Sequence, residues 1–160
     1  MKMSVPFHWI IIALFAAAPA WGMSSGTSSG SSEPPADPAM EKAEAAIAAK
    51  DWPRAQEVLR DAVAKNPQKA DLHNLYAYAL RMGANPPMDL VFRHYNEALR
   101  IDPRHRGAHE YPGEAYLMTG NLAKAKEHLA QLDKICAFGC KEYSRLKDAV
   151  TDYEQKQVKK

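Results

Sequence analysis

The stretch Gly113–Ala125, GEAYLMTGNLAKA, decides the fold of this chain. Its small and apolar residues recur with the period of about 3.6 residues that marks an amphipathic helix, as they do in nearly all of the sequence after Asp37. Alternation of apolar and polar residues with a period of two, which would indicate strands, is absent over any useful length of the sequence. The sequence therefore predicts an all-α protein.

The helical pattern repeats along the chain in the same phase. Three sets of anchor residues keep successive spacings of four, three and five residues, and the sets begin 36 and then 34 residues apart. The anchors are Ala55, Leu59, Ala62 and Pro67; Val91, Tyr95, Ala98 and Pro103; and Ala125, Leu129, Leu132 and Ala137. A fixed interval of this length is typical of a solenoid built from stacked helix pairs.

The repeated unit resembles that of the tetratricopeptide repeat (TPR) family. The family's unit is a helix-turn-helix of about 34 residues with a small residue, an aromatic residue and a closing proline in set places. Gly113–Ala125 is the best copy, and Tyr95–Pro103, YNEALRIDP, is a typical closing helix. The resemblance covers about 36–137, with an insertion at Ala84–Pro87 between the helices of the second unit. It implies a right-handed helical-hairpin solenoid.

The repeat phase divides 37–140 into about three TPR-like helix pairs. The pairs are expected at about 36–69, 70–105 and 106–139. The last pair needs a cover for its apolar face. The segment 141–160 supplies one, because its apolar residues recur at helical spacing before a basic tail, and we predict that it forms a C-terminal capping helix.

The first 20 residues, 1–20, have the features of a secretory signal peptide. Lys2 provides a positive start, Trp9–Ala18 is apolar, and small residues up to Ala20 offer a cleavage site. The segment 21–36 follows as a Gly/Ser/Pro-rich linker. The apolar run is shorter than the roughly 20 residues that span a bilayer, although an uncleaved anchor is the alternative. We expect an exported bacterial protein, periplasmic or secreted, that meets the membrane only transiently.

Two cysteines, Cys136 and Cys140, lie at the junction between the last pair and the capping helix. Cysteines in an exported chain favour a disulfide, and Gly139 allows the tight turn that would join them. A reduced pair, a pair of metal ligands and a catalytic redox pair are the alternatives. Three residues separate the cysteines, rather than the two of thioredoxin-like sites.

His105 and His109 form the second cluster of possible chemical interest. Two histidines four positions apart on a helix can face one metal ion, and copper or zinc would suit imidazole. The alternative is structural: His105 caps or precedes the first helix of the third pair, and His109 packs between helices. Further ligands are not evident in the sequence.

Charge and motifs exclude several functions. The chain has 21 Lys and Arg against 19 Asp and Glu, with no basic stripe, so we expect no nucleic-acid partner. It contains no nucleophile motif and no phosphate loop, so we expect no catalytic activity and no cofactor. The runner-up function is a periplasmic metal-handling or redox accessory protein that uses the His and Cys residues. A third is a structural subunit that stacks end to end.

The TPR resemblance implies that the first helix of each pair lines a concave groove in which a peptide or protein segment binds. By repeat phase, the residues predicted to face this groove are Glu44, His73, Asn74, Arg81, Glu110 and Glu114. Asn74 lies near the asparagine of the family's carboxylate clamp, but the clamp's lysines are absent. The excess of Glu over Arg favours a neutral or basic segment of another exported protein as the partner.

Overall fold

The computed structural model describes residues 37–159, and within them it contains seven helices and no strand. The all-α prediction is therefore confirmed. The predicted signal peptide 1–20, the linker 21–36 and the last residue of the predicted tail lie outside the described residues. The helices are α1 Pro38–Ala48, α2 Trp52–Lys65, α3 Ala70–Arg81, α4 Met88–Ile101, α5 Gly107–Met118, α6 Leu122–Ile135 and α7 Lys141–Val158.

Short polar side chains fix where several helices begin. The Asp37 carboxylate accepts a hydrogen bond from the Ala39 amide at 3.0 Å, and Pro38 occupies the first turn of α1. Asp51 and Asn121 cap α2 and α6 in the same way. Side-chain caps therefore mark the starts of α1, α2 and α6, whereas the N-cap residues of α3, α4, α5 and α7 make no side-chain cap hydrogen bond.

Tight turns join the two helices of the first and third pairs. Lys50 in the first pair and Gly120 in the third adopt positive φ angles of 56° and 80°. This left-handed conformation ends one helix and sends the chain back along it. In the second pair, the insertion Ala84–Pro87 lengthens the connection between α3 and α4.

Small residues allow the helices to pack closely. Ala43, Ala55, Ala98 and Ala125 are completely buried, and helix α1 packs on α2, α3 on α4, and α5 on α6. Each pair also contacts the next, because α2 packs on α3 and α4 on α5. The large buried side chains that fill the spaces between helices are Leu59, Leu72, Tyr95 and Leu132. None of the helices within 37–159 is long and apolar enough to cross a membrane.

Helix α7 covers the apolar face that the third pair leaves open. It packs on both α5 and α6, and it buries Leu146 and Val150. The tightest contact is at Gly113 of α5, where an added Cβ would lie 2.5 Å from Leu146 Cδ2. Gly113 is therefore required for the close approach of α7.

We predict that Gly113→Ala destabilises the protein by about 1–3 kcal/mol, because the new methyl overlaps Leu146. Urea denaturation of the wild type and the variant measures the change. The double variant with Gly113→Ala and Leu146→Ala should lose less stability than the sum of the losses in the two single variants. Strictly additive effects would contradict this packing.

Candidate functional site

Four of the six residues predicted to face the groove are buried between helices. His73, Asn74, Arg81 and Glu110 are 5%, 4%, 6% and 2% exposed. Glu44 is exposed. The sixth, Glu114, is half-buried. His73, Arg81 and Glu110 contact side chains of neighbouring helices, so a partner that docks on the surface contacts little of them.

Arg81 and Glu114 form an ion pair that links the second and third pairs of helices. The Arg81 Nη2 atom donates to Glu114 Oε2 at 2.7 Å. The guanidinium also lies over the Tyr78 ring, 5.4 Å from its centroid, and its Nη1 approaches Met118 Sδ at 3.6 Å. The positive charge at this position is therefore matched and fixed within the protein.

Glu110 pairs with the capping helix. The Arg145 Nη1 atom donates to Glu110 Oε1 at 3.4 Å, from an exposed position on α7. Burial raises the pKa of Glu110 to about 7, and the attraction of Arg145 offsets only part of this effect. The carboxyl that the sequence places in the groove thus joins α5 to α7.

Glu110→Gln tests this burial. The folded pKa of Glu110 lies above the ordinary value of 4.5, so its contribution to stability is present in acid and is lost as the pH rises through about 7. We expect Glu110→Gln to stabilise the protein at pH 8 by about 1–2 kcal/mol and to give no gain at pH 4, as measured by urea denaturation.

Glu114→Gln is the matched control for Glu110→Gln. It leaves the buried Arg81 without its charged partner, so it should destabilise the protein by about 1–3 kcal/mol. If Glu110→Gln also destabilised the protein at pH 8, the carboxylate would be a favourable partner of Arg145 and the account of its burial would be wrong.

Three aromatic side chains form a row on the same face of the molecule. The Trp52 and Tyr78 rings meet edge to face at 5.9 Å, and the Tyr78 and Tyr111 rings lie 4.6 Å apart. All three side chains are half-buried, so each ring is anchored yet partly accessible. We call Trp52, Tyr78 and Tyr111 the aromatic row.

Two surface depressions lie near the aromatic row. Beside Trp52 is a cavity of about 470 Å³ that the insertion Ala84–Pro87 helps to line. Beside Arg81, another of about 370 Å³ lies between α5 and α7 and is lined by Met118 and Tyr153. The first depression adjoins Trp52 at one end of the row, and the second adjoins Arg81, whose guanidinium lies over the central ring, Tyr78.

In the structure, both ring nitrogens of His105 and of His109 contact other groups of the protein. Helix α5 begins at Gly107, so His105 precedes the helix and His109 lies in its first turn. His105 Nε2 contacts Asp71 Oδ1 at 3.0 Å, and its Nδ1 accepts from the Ala108 amide at 3.1 Å. Within 37–159, no cluster of three potential ligands is present.

His109 instead faces a histidine that the sequence analysis did not single out. Its Nδ1 lies 3.2 Å from Nδ1 of His128, and its Nε2 lies 3.0 Å from the Pro103 carbonyl oxygen. An equivalent arrangement joins His73 to His94 in the preceding pair. The sequence did contain a signal for this arrangement, because His109 and His128 follow His73 and His94 by one repeat.

Cys136 and Cys140 are joined as a disulfide between α6 and α7. Gly139 has a positive φ of 81°, which permits the short loop. In this state the sulfur atoms offer no thiolate for metal binding or redox exchange. Phe138, at the tip of the loop, is fully exposed.

We predict that the intact protein has a mass about two units below that of the dithiol form, and that a reductant restores the difference. The loop spans a sequence separation of only 4, so replacing both cysteines by serine should cost about 2 kcal/mol of stability. Mass spectrometry and urea denaturation measure the two effects. A mass equal to that of the dithiol would contradict the bridge.

Stacked helix pairs with a shared core and a closing helix define a helical-hairpin solenoid. The TPR2B domain of yeast Sti1, solved in a complex with pHsp70, is similar with a TM-score of 0.66 and 18% identity, over 74% of this chain and 94% of that one. SycD, a type III secretion translocator chaperone of Yersinia enterocolitica, is similar with a TM-score of 0.65 and 15% identity, over 75% and 83%. No family model and no curated protein matches. The chain therefore has a TPR-like fold.

Proposed function

We propose that this protein is a non-catalytic interaction module that binds a peptide or protein segment along the aromatic row. The observation that carries the proposal is the row itself: three partly exposed rings, in contact with one another, on a face that all three pairs share. Aromatic side chains offer large contact areas and lose little conformational entropy on binding. The two similar structures belong to a protein solved with a bound partner and to a chaperone, which supports this class of function.

The face that carries the aromatic row favours a partner that binds through apolar contacts rather than through charge. Glu114 is paired with Arg81, and Glu110 is buried against Arg145. The acidic excess predicted for the groove is therefore largely neutralised within the protein. The partner segment that fits best is neutral and carries apolar side chains, and its binding should depend only weakly on salt.

Export remains part of the proposal. The signal-peptide pattern in 1–20 supports it, and a disulfide persists in an oxidising compartment. The partner would then be another exported protein. Fractionation of cells that produce the full chain tests this step, because retention of the uncleaved protein in the cytoplasm would contradict it.

Site-specific photo-crosslinking tests the binding surface and identifies the partner in the same experiment. A photoreactive amino acid at Tyr111 should capture a defined protein, whereas the same group at Lys126, an exposed position on α6, should not. Equal capture at both positions would contradict docking on the row.

Once a partner is captured, Tyr111→Ala should weaken its binding by about 10- to 30-fold, since a half-buried tyrosine is a typical anchor. Phe138→Ala is the matched control, because Phe138 is an exposed aromatic residue off the row. Binding that is lost with Phe138→Ala and kept with Tyr111→Ala would place the interface on the disulfide loop and overturn the proposal.

A further inference from the structure

Two pairs of histidines meet head to head, one in each of two consecutive repeats. His73 Nδ1 lies 2.9 Å from His94 Nδ1, and His109 Nδ1 lies 3.2 Å from His128 Nδ1. The ring centroids are 5.1 Å and 5.4 Å apart, so in both pairs the two nitrogens point almost directly at each other. This is the geometry of a hydrogen bond between two imidazoles.

His73 and His109, which we call the inner histidines, also form a hydrogen bond through their second ring nitrogen. His73 Nε2 lies 3.0 Å from the Pro67 carbonyl oxygen, which follows α2. His109 Nε2 lies 3.0 Å from the Pro103 carbonyl oxygen, which follows α4. Each inner histidine therefore joins three segments: the end of the preceding pair, its own first helix and its own second helix.

These contacts determine where the protons are. A carbonyl oxygen only accepts, so Nε2 of His73 and of His109 must carry a hydrogen. In the neutral ring, Nδ1 then has a lone pair and accepts a hydrogen bond from Nδ1–H of the facing histidine. Each pair can take up one extra proton with this bond intact. A second extra proton would set N–H against N–H and break the bond.

We propose that the two histidine pairs, His73–His94 and His109–His128, form a pH-sensitive joint that loosens the packing of the second and third repeats when both rings of a pair are protonated. The proposal rests on the repeated geometry and is independent of the proposed partner binding. It concerns the stability of the stacking in acid.

The surroundings of the first pair resist the second proton. The Tyr76 ring meets the His94 ring edge to face at 4.7 Å. Burial and then the charge of His73 lower the pKa of His94 to about 4, with a smaller contribution from Arg93. Glu97 acts in the opposite direction and favours the proton, but it does not prevail.

The surroundings of the second pair act in the same direction. Burial and then the charge of His109 lower the pKa of His128 to about 4, with Lys124 adding to the effect and Glu127 opposing it. Burial also lowers the pKa of His109, where a nearby His105 adds to the effect and the Pro103 carbonyl and Asp102 oppose it. The Tyr116 ring stacks on His128 at 5.6 Å.

The direction of the pH effect follows from these pKa values. In the unfolded chain a histidine has a pKa of about 6.5. Because the folded pKa of the second ring is lower, the stabilisation is present above about 6.5 and is lost as the pH falls towards 4. Within that window, each histidine pair should increase the unfolding equilibrium constant by up to about tenfold for each unit by which the pH falls.

The test compares the full-length wild type with the double variant His94→Gln and His128→Gln. Glutamine keeps a side-chain amide that can donate to the facing Nδ1, but it cannot take up a proton. Urea denaturation from pH 7.5 to 4.5, with the disulfide intact, should show a shallower loss of stability in the double variant, by up to about two protons per chain.

His105→Gln is the matched control, because it removes a histidine that lies outside both pairs. Its pH slope should fall by much less than that of the double variant, because the control removes only the contact with Asp71 and the smaller effect of His105 on His109. Equal slopes for the wild type and the double variant would overturn the proposal, as would a slope that falls by the same amount in the control.

If the double variant fails to fold, NMR of the imidazole nitrogens in the wild type tests the proposal instead. At pH 7 the inner rings, His73 and His109, should each carry the Nε2 proton, and each histidine pair should take up its second extra proton only near pH 4. Uptake of both extra protons by each histidine pair near pH 6.5 would overturn the proposal.

Discussion

The stacking of one helix pair on the next depends on how closely the helix backbones approach. At Gly113 an added carbon would overlap Leu146, and fully buried alanines occupy equivalent contacts in the other pairs. A single pair of amphipathic helices cannot bury its own apolar face, so the pairs must stack to form a core. Small residues at the contacts make this stacking possible, and α7 completes it by covering the last exposed face.

Close stacking changes the role of the polar residues on the first helices. Arg81, Glu110 and His73 lie where a groove surface was expected, but the approach of the neighbouring helices buries them. A buried polar group is stable only if it finds a partner, and each of these bridges to another helix. The polar groups thus specify which helices meet, and the partly exposed aromatic row remains as the surface that offers contact to another molecule.

The fold was predictable from the sequence because its signals are local and repeated. The period of the apolar residues after Asp37 predicted helices throughout this region, and the structure begins α1 directly after Asp37. The groove residues were less predictable, because Glu110 finds Arg145 only through the packing of α7, 35 residues away. The metal pair stays a prediction, although α5 begins two residues after His105 and the helical spacing assumed for the pair therefore starts only beyond it. To predict that the histidines face each other in pairs, one would have to know which helices pack together.

Hydrogen exchange of the backbone amides in the full-length protein tests most directly whether the pairs and the capping helix form one cooperative core. If α7 completes the core, the amides of α5, α6 and α7 should exchange with a common opening free energy, and Leu146→Ala should lower it in all three helices. Rapid exchange of α7 alone, with unchanged protection in α5 and α6 after the same substitution, would show that the capping helix is an appendage and would contradict the account.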